Sequence, residues 1–191
     1  MAERADAAAN RQAVLNAAGR LFDESGDPGA VSMDDVARAA GVGKGTLFRR
    51  FGDRATLLRA VYDARLADVR DAIASGSPPL GPDAEPAERI LAVLDAIVVF
   101  KLDNRQLVLA LERGGPSGGL TLFDAPHYVD MHDLLVQLLT AVIGPADAPW
   151  TAHALLGATR IDMVDHVVAK DGGSREQMRA SLRTFVERVL R

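Results

Sequence analysis

At 191 residues, with 48% hydrophobic and 25% charged side chains, the chain has the composition of an ordinary globular protein, which excludes general disorder and leaves room for a small domain plus a larger one. Its net charge of −4 excludes a protein that coats nucleic acid without selectivity, and the absence of cysteine excludes a disulfide framework and thiol chemistry. No apolar run approaches the ~18 residues of a membrane span and the first residues lack a signal-peptide core, so a cytoplasmic protein with no membrane partner is expected.

From the start of the chain, Met1 to Ala9 is a small-residue arm containing Arg4, expected to be mobile and assigned no site. A first helix is expected from Asn10 to Ser25, where Val14, Ala17, Ala18, Leu21 and Phe22 recur at helical spacing and Gly26 supplies the stop. Ser32 with Asp35 three residues on spells a capping box. Asp34 and Asp35 also complement the positive end of a helix dipole, so a second helix starts near Met33. It turns Val36, Ala37 and Ala40 to one face and stops at Gly41. After the turn Gly41, Val42, Gly43 a third helix is expected from Lys44 to Phe51, with Leu47 and Phe51 on the packing face and Lys44, Phe48 and Arg49 projecting away.

Two short helices joined by a glycine-containing turn form a helix-turn-helix, the arrangement that lays its second helix in the major groove of DNA. The local charge suits that partner. Gly43 to Arg54 holds four cations (Lys44, Arg49, Arg50, Arg54) and one acid, Asp53, in a chain that is acidic overall. Gly45 lacks a side chain where the helix N terminus would approach phosphate, and Thr46 offers a hydroxyl and a methyl to phosphate or thymine. The DNA-binding set is therefore Lys44, Gly45, Thr46, Phe48, Arg49, Arg50 and Arg54; the competing reading is a solvated hairpin whose arginines face water. Gly41-x-Gly43-x-Gly45 lacks the strand and the spacing of a dinucleotide fingerprint.

Arg11, Val14, Ala18, Leu21, Phe22 and Gly26, continued by Val36, Ala37, Ala40 to Val42, Gly45 to Leu47, Phe51, Leu57 and Leu58, carry a resemblance to a known domain. Arg11 to Leu58 resembles the N-terminal domain of the tetracycline-repressor (TetR) family of bacterial transcription regulators. The chain departs from that pattern at Phe48, where the family usually has Tyr, at Arg50, often His, and at Arg54, usually Lys. Without a hydroxyl Phe48 is restricted to apolar or stacking contacts, whereas the two arginines keep the charge. The resemblance implies dimerisation through the last helices.

Asp53 is placed to cap a long helix from Arg54 to about Ala74, whose Leu58, Val61, Tyr62, Leu66, Val69 and Ile73 form an inward seam. Such a helix would act as a lever between two domains. Ser75 to Glu85, with three prolines, two glycines and two serines, reads as the linker. Further helices are expected over Pro86–Leu102, Asn104–Arg113, Pro126–Ile143, Pro149–Lys170 and Ser174–Leu190, the last opened by a Ser174/Gln177 capping box, with a loop from Gly114 to Asp124. No segment alternates with period two. The expected fold is all-α, with about nine helices: residues 1–53 a three-helix helix-turn-helix domain, 54–74 a connecting helix, and 75–191 a larger ligand-binding and dimerisation domain. Charge divides in the same sense, ten Lys/Arg against nine Asp/Glu in residues 1–66 and 12 against 17 in 67–191.

The last two expected helices carry apolar residues on more than one face. Ala154, Gly157 and Ala158, small enough for close helix approach, with Ile161, Leu182, Phe185 and Val189, are the candidate homodimer interface, with ordinary intramolecular packing as the alternative. Polar and soft side chains scattered from Phe100 to Met163, namely Phe100, His127, Tyr128, Met131, His132, Trp150, Arg160 and Met163, are the candidate site for a small-molecule effector, plain core and interface pairing being the alternative. Asp162 with His166, or His127 with His132, gives only two metal ligands, so no metal and no cofactor are assigned. Gly115-Pro116-Ser117-Gly118-Gly119 spells a hydrolase elbow without the strand that motif requires, and no catalytic residue is assigned. The sequence thus implies a one-component regulator, expected to be a ligand-responsive repressor that binds a palindromic double-stranded DNA operator as a dimer. The alternatives are a constitutive regulator without a ligand and, more remotely, an all-helical enzyme or adaptor.

Overall fold

The computed structural model describes residues 2–114, 122–170 and 172–191. The Gly115–Gly119 spelling lies outside the described residues. Ten helices are present among them: α1 (Ala2–Ser25), α2 (Met33–Ala40), α3 (Lys44–Phe51), α4 (Arg54–Ser75), α5 (Pro86–Asp103), α6 (Arg105–Gly114), α7 (Pro126–Ile143), α8 (Ala148–Ala158), α9 (Ile161–Asp165) and α10 (Arg175–Val189), with 3-10 turns at Pro28–Ala30 and Leu122–Asp124 and a π-helical turn at His166–Lys170. The all-α expectation holds, and most helices start and stop where their caps predict.

Two differences have local causes. The N-terminal arm expected to be mobile is helical from Ala2, in keeping with its alanines, the best helix formers. The single helix expected over Pro149–Lys170 is broken after Ala158, which makes ten helices of nine. Thr159 turns its hydroxyl onto the Leu156 carbonyl (2.8 Å) and its N–H onto the same oxygen (3.1 Å), and Arg160 is extended (φ −60°, ψ 137°). A threonine hydroxyl bonded to the backbone in this way competes with continuation of the helix.

The chain divides into two compact units. The first comprises the described residues of Met1–Ala67 and Asn104–Ser117, the second those of Asp68–Asp103 and Gly118–Arg191. Helix α4 therefore starts in the first unit and ends in the second, and α6 packs in the first, where it meets α1 and the Pro28–Ala30 turn. The core of the first unit is built from Val14, Ala18 and Phe22 of α1, Val36 and Ala37 of α2, Leu47 and Phe51 of α3, Leu57, Leu58 and Val61 of α4, and Leu107 and Val108 of α6, all buried.

In the second unit α5 is central, packing against α7, α9 and α10. Ile90, Val93, Leu94 and Val98 of α5 meet Leu135 and Leu139 of α7, Leu155 of α8, Val164 of α9 and Leu182 and Val186 of α10 in one cluster. Arg179 of α10 grips Asp95 of α5 through two hydrogen bonds of 2.7 Å, and Arg175 pairs with Asp103. The Pro/Gly-rich stretch read as a linker is folded back within this unit. Arg89 donates to the carbonyls of Leu80 (3.1 Å) and Ile73 (2.7 Å), and Leu80 packs on the core. A Cβ on Gly81 would lie 1.7 Å from the Gly76 carbonyl oxygen, so the approach of these two segments admits only glycine.

Candidate nucleic-acid interface

The reading head is assembled by local chemistry. Ser32 at the start of α2 accepts a hydrogen bond from the Asp35 N–H (3.2 Å), and Asp35 accepts from the Ser32 N–H (3.2 Å) and hydroxyl (2.5 Å). Those bonds to Ser32 hold the Asp35 carboxyl below the usual carboxylate range. At the other end Gly41 takes the left-handed conformation (φ 66°), and the Val42 N–H returns to the Ala37 carbonyl at 3.0 Å. This reversal launches α3 from Gly43 in a fixed direction. Gly52 (φ 71°) then ends α3, and Asp53 caps α4 by accepting from the Thr56 N–H at 2.7 Å, which holds its carboxyl low.

On α3, Leu47 and Phe51 are buried while Lys44, Gly45, Thr46, Phe48, Arg49 and Arg50 all face solvent. One side of this two-turn helix anchors it and the other is available to a partner. No side chain caps its N terminus, so the positive end of the helix is presented beside Gly45. A Cβ built on Gly45 would meet nothing within 4 Å, and Gly45 is not in a left-handed conformation. Among the described residues nothing requires glycine there, although glycine in a helix costs roughly 0.5–1 kcal/mol relative to alanine.

The cations differ in their commitments. The Lys44 ammonium lies 2.8 Å from Asp34 and 5.9 Å from the centre of the Phe48 ring, a positioned charge partly neutralised by its neighbour. Arg49 makes no hydrogen bond or ion pair among the described residues. Arg54 is half-buried and its Nε donates to the Val31 carbonyl at 3.0 Å, bracing the start of α4 against the segment that leads into α2. That structural task was not visible in the sequence.

Comparison with known proteins supplies the lineage. Residues 14–61 match the model of the bacterial regulatory proteins of the tetR family. An HTH-type transcriptional regulator of Staphylococcus aureus is 31% identical over 136 residues, 71% of this chain and 70% of that protein. The chain belongs to the TetR family. A solved TetR-like regulator from Rhodococcus sp. RHA1 shares the fold with a TM-score of 0.66 at 23% identity, over 95% of each chain. NalD of Pseudomonas aeruginosa, described as the secondary repressor of the MexAB-OprM efflux pump, does so at 0.61 and 19%, over 96% of each chain. This TetR-family protein is a transcriptional regulator, and its relatives and fold are those of regulators, not enzymes.

Elsewhere in the regulator, the residues marked for an effector do not form one cluster. Phe100 is buried, Trp150 is 77% exposed and Met163 is 50% exposed. Arg160 and Asp162 bind each other through bonds of 3.1 and 2.9 Å, and the Arg160 hydrogen bond holds Asp162 low. Tyr128 and His132 do come together, with two residues the sequence did not single out, Phe123 and His153. The Tyr128 hydroxyl lies 2.7 Å from Nδ1 of His153, the rings of His132 and His153 stack at 4.0 Å, and Phe123 stands edge-on to Tyr128 at 5.2 Å. Desolvation, then the neighbouring His132, pushes the His153 imidazole below its ordinary value. Spacing reveals Tyr128 and His132 as a helical i,i+4 pair, but their partner lies a helix away. Met131 packs at the edge of the second unit's core, and His127 is half-buried. Among the described residues no three His, Cys, Asp or Glu side chains come together as a metal site.

The dimer candidates separate by exposure. Ala154 is exposed, Phe185 is 43% exposed, and Gly157, Ala158 and Val189 are half-buried. Ile161 and Leu182 are buried within the subunit, Leu182 among the side chains packed on α5. They are core positions. The apolar spacing along α10 serves the subunit's own interior on one face and leaves Phe185 outside.

Proposed function

We propose that the protein is a ligand-responsive repressor that binds a palindromic operator as a homodimer in the cytoplasm. The observation that carries the DNA-binding part is the two-faced α3, anchored by Leu47 and Phe51 and presenting Lys44, Gly45, Thr46, Phe48, Arg49 and Arg50 beside an uncapped helix N terminus. In this reading Lys44, Thr46, Phe48 and Arg49 enter the major groove, the Gly45 backbone approaches a phosphate, and Arg50 and Arg54 hold the flanking backbone. Repression as the output takes its support from NalD, a repressor with this fold.

The dimer reading rests on exposed Ala154 and Phe185 with half-buried Gly157, Ala158 and Val189, small and apolar side chains on α8 and α10. The effector is assigned to the second unit, around Tyr128, His132 and His153 and the neighbouring His127 and Met131, with Phe100, Trp150, Arg160 and Met163 as outlying candidates. To switch the protein, an effector must favour one position of α4 over the other; a differential of ~2–3 kcal/mol suffices for a large change in operator occupancy.

Selection of bound fragments from the source genome tests the reading. An inverted repeat with half-site centres about one helical turn or a multiple apart is expected. Direct or unpaired sites refute the two-fold arrangement, and retention insensitive to salt refutes DNA binding through this basic face.

A further inference from the structure

The groove between α1 and α4 in the first unit is left unused by the reading helix. It holds about 340 Å³, the lower end of the range that accommodates small molecules. Its floor is apolar, formed by the buried side chains of Leu15 on α1 and Val61 on α4. One end is closed by Arg65, whose guanidinium is held by both carboxylate oxygens of Asp23 (2.7 and 3.0 Å) and by Oδ1 of Asn104 (2.8 Å). That closure depends on Gly19, where a Cβ would lie 2.8 Å from the Arg65 Nη2. Arg65 is thereby a neutralised wall.

The mouth of the groove is polar. Gln12, Asn16 and Arg20 follow one another at four-residue spacing along α1, and the Gln12 amide donates to Asn16 Oδ1 at 2.9 Å. Arg20 is exposed and makes no hydrogen bond or ion pair among the described residues, although Glu24 lies one turn further on. A groove with an apolar floor, two carboxamides and one guanidinium that makes no ion pair among the described residues selects an apolar body bearing a single negative charge.

We propose that the α1–α4 groove is a binding site for a small monocarboxylate, aromatic or branched aliphatic, whose carboxylate pairs with Arg20 while its body lies over Leu15 and Val61. The site is separate from the effector site assigned to the second unit. It is built on α1, which itself contacts α2, so its occupant acts on the reading head from within the DNA-binding unit.

An NMR titration of the full chain tests this, with benzoate as probe and benzamide as its neutral counterpart. Benzoate is expected to shift the side-chain amides of Gln12 and Asn16 and the Nε–H of Arg20 saturably, and to bind about tenfold more tightly than benzamide. Arg20→Gln should erase that preference. Ala64→Leu, which fills the groove from its exposed edge, should abolish the shifts while leaving the fold intact by circular dichroism. Shifts that fail to saturate or that map elsewhere overturn the proposal, as does an Arg20→Gln protein that still prefers benzoate. Without benzoate, Arg20→Gln should keep its operator affinity within twofold; a loss accompanied by a shallower salt dependence assigns Arg20 to the DNA backbone and overturns the site as well.

Discussion

Replacing Gly45 by alanine should move stability and DNA affinity in opposite directions. A Cβ at this position meets nothing within 4 Å and the backbone is helical, so the methyl group introduces no clash within the protein. Alanine restricts the unfolded chain and favours the helix; in the first turn the gain is about 0.5 kcal/mol, at the lower end of the usual range. For a unit of this size that raises the melting temperature by about 2–4 °C. On DNA the same methyl group would stand between the helix N terminus and the phosphate. Loss of one charge-assisted hydrogen bond costs about 1.5–3 kcal/mol, or roughly 10- to 100-fold in affinity per subunit. Thermal unfolding followed by circular dichroism gives the first quantity, and fluorescence anisotropy with a labelled operator at fixed salt gives the second. A variant that is more stable yet binds operator within twofold of the parent would show that DNA does not approach the backbone here.

Other substitutions separate roles along the same lines. Arg49→Ala should cost ~1–3 kcal/mol on the selected operator and relax specificity at one base pair, whereas Arg50→Ala should weaken all sequences alike and reduce the salt slope by roughly one per subunit, both read from titrations at several salt concentrations. Arg54→Ala should also destabilise the protein by about 1 kcal/mol in a denaturant titration, because its bond to the Val31 carbonyl is lost. Phe185→Glu should give a folded monomer in sedimentation, and Leu182→Glu a misfolded chain, since only the first side chain is exposed; a dimeric Phe185→Glu protein moves the interface elsewhere. The depressed His153 titration gives a pH dependence: the folded state resists protonation, so its contribution is present above the ordinary value near 6.5 and is lost as pH falls below it. Melting temperatures measured from pH 8 to 5 should fall more steeply for the parent than for His153→Gln.

The sequence revealed features that are set within a few residues. The Ser32/Asp35 and Ser174/Gln177 boxes, the Gly41 reversal and the Asp53 cap are each closed by bonds spanning three to five positions, and all were legible. So was the two-faced α3, because Leu47 and Phe51 are one turn apart. What could not be read depends on neighbours distant in the chain. Leu182 and Phe185 are three residues apart and both apolar, and only the position of α5 decides that one is interior and the other outside. His153 gains meaning from Tyr128 across a helix boundary, Arg65 from Asp23 and Asn104, and the break at Thr159 from a hydroxyl that either of two backbone conformations could have used.

The placement of α6 has a consequence for how the molecule is made. The first unit is completed by a helix ending at Gly114, so its core stays open while the chain up to Ala67 emerges from the ribosome and closes only after the intervening segment, 68–103, has also been synthesised. Until then the surfaces that Leu107 and Val108 will cover remain wet. A fragment cut at the end of the family match, residue 61, would carry every DNA-facing residue but lack the α6 side chains that close its core, so it should be less stable than the same unit with α6 retained.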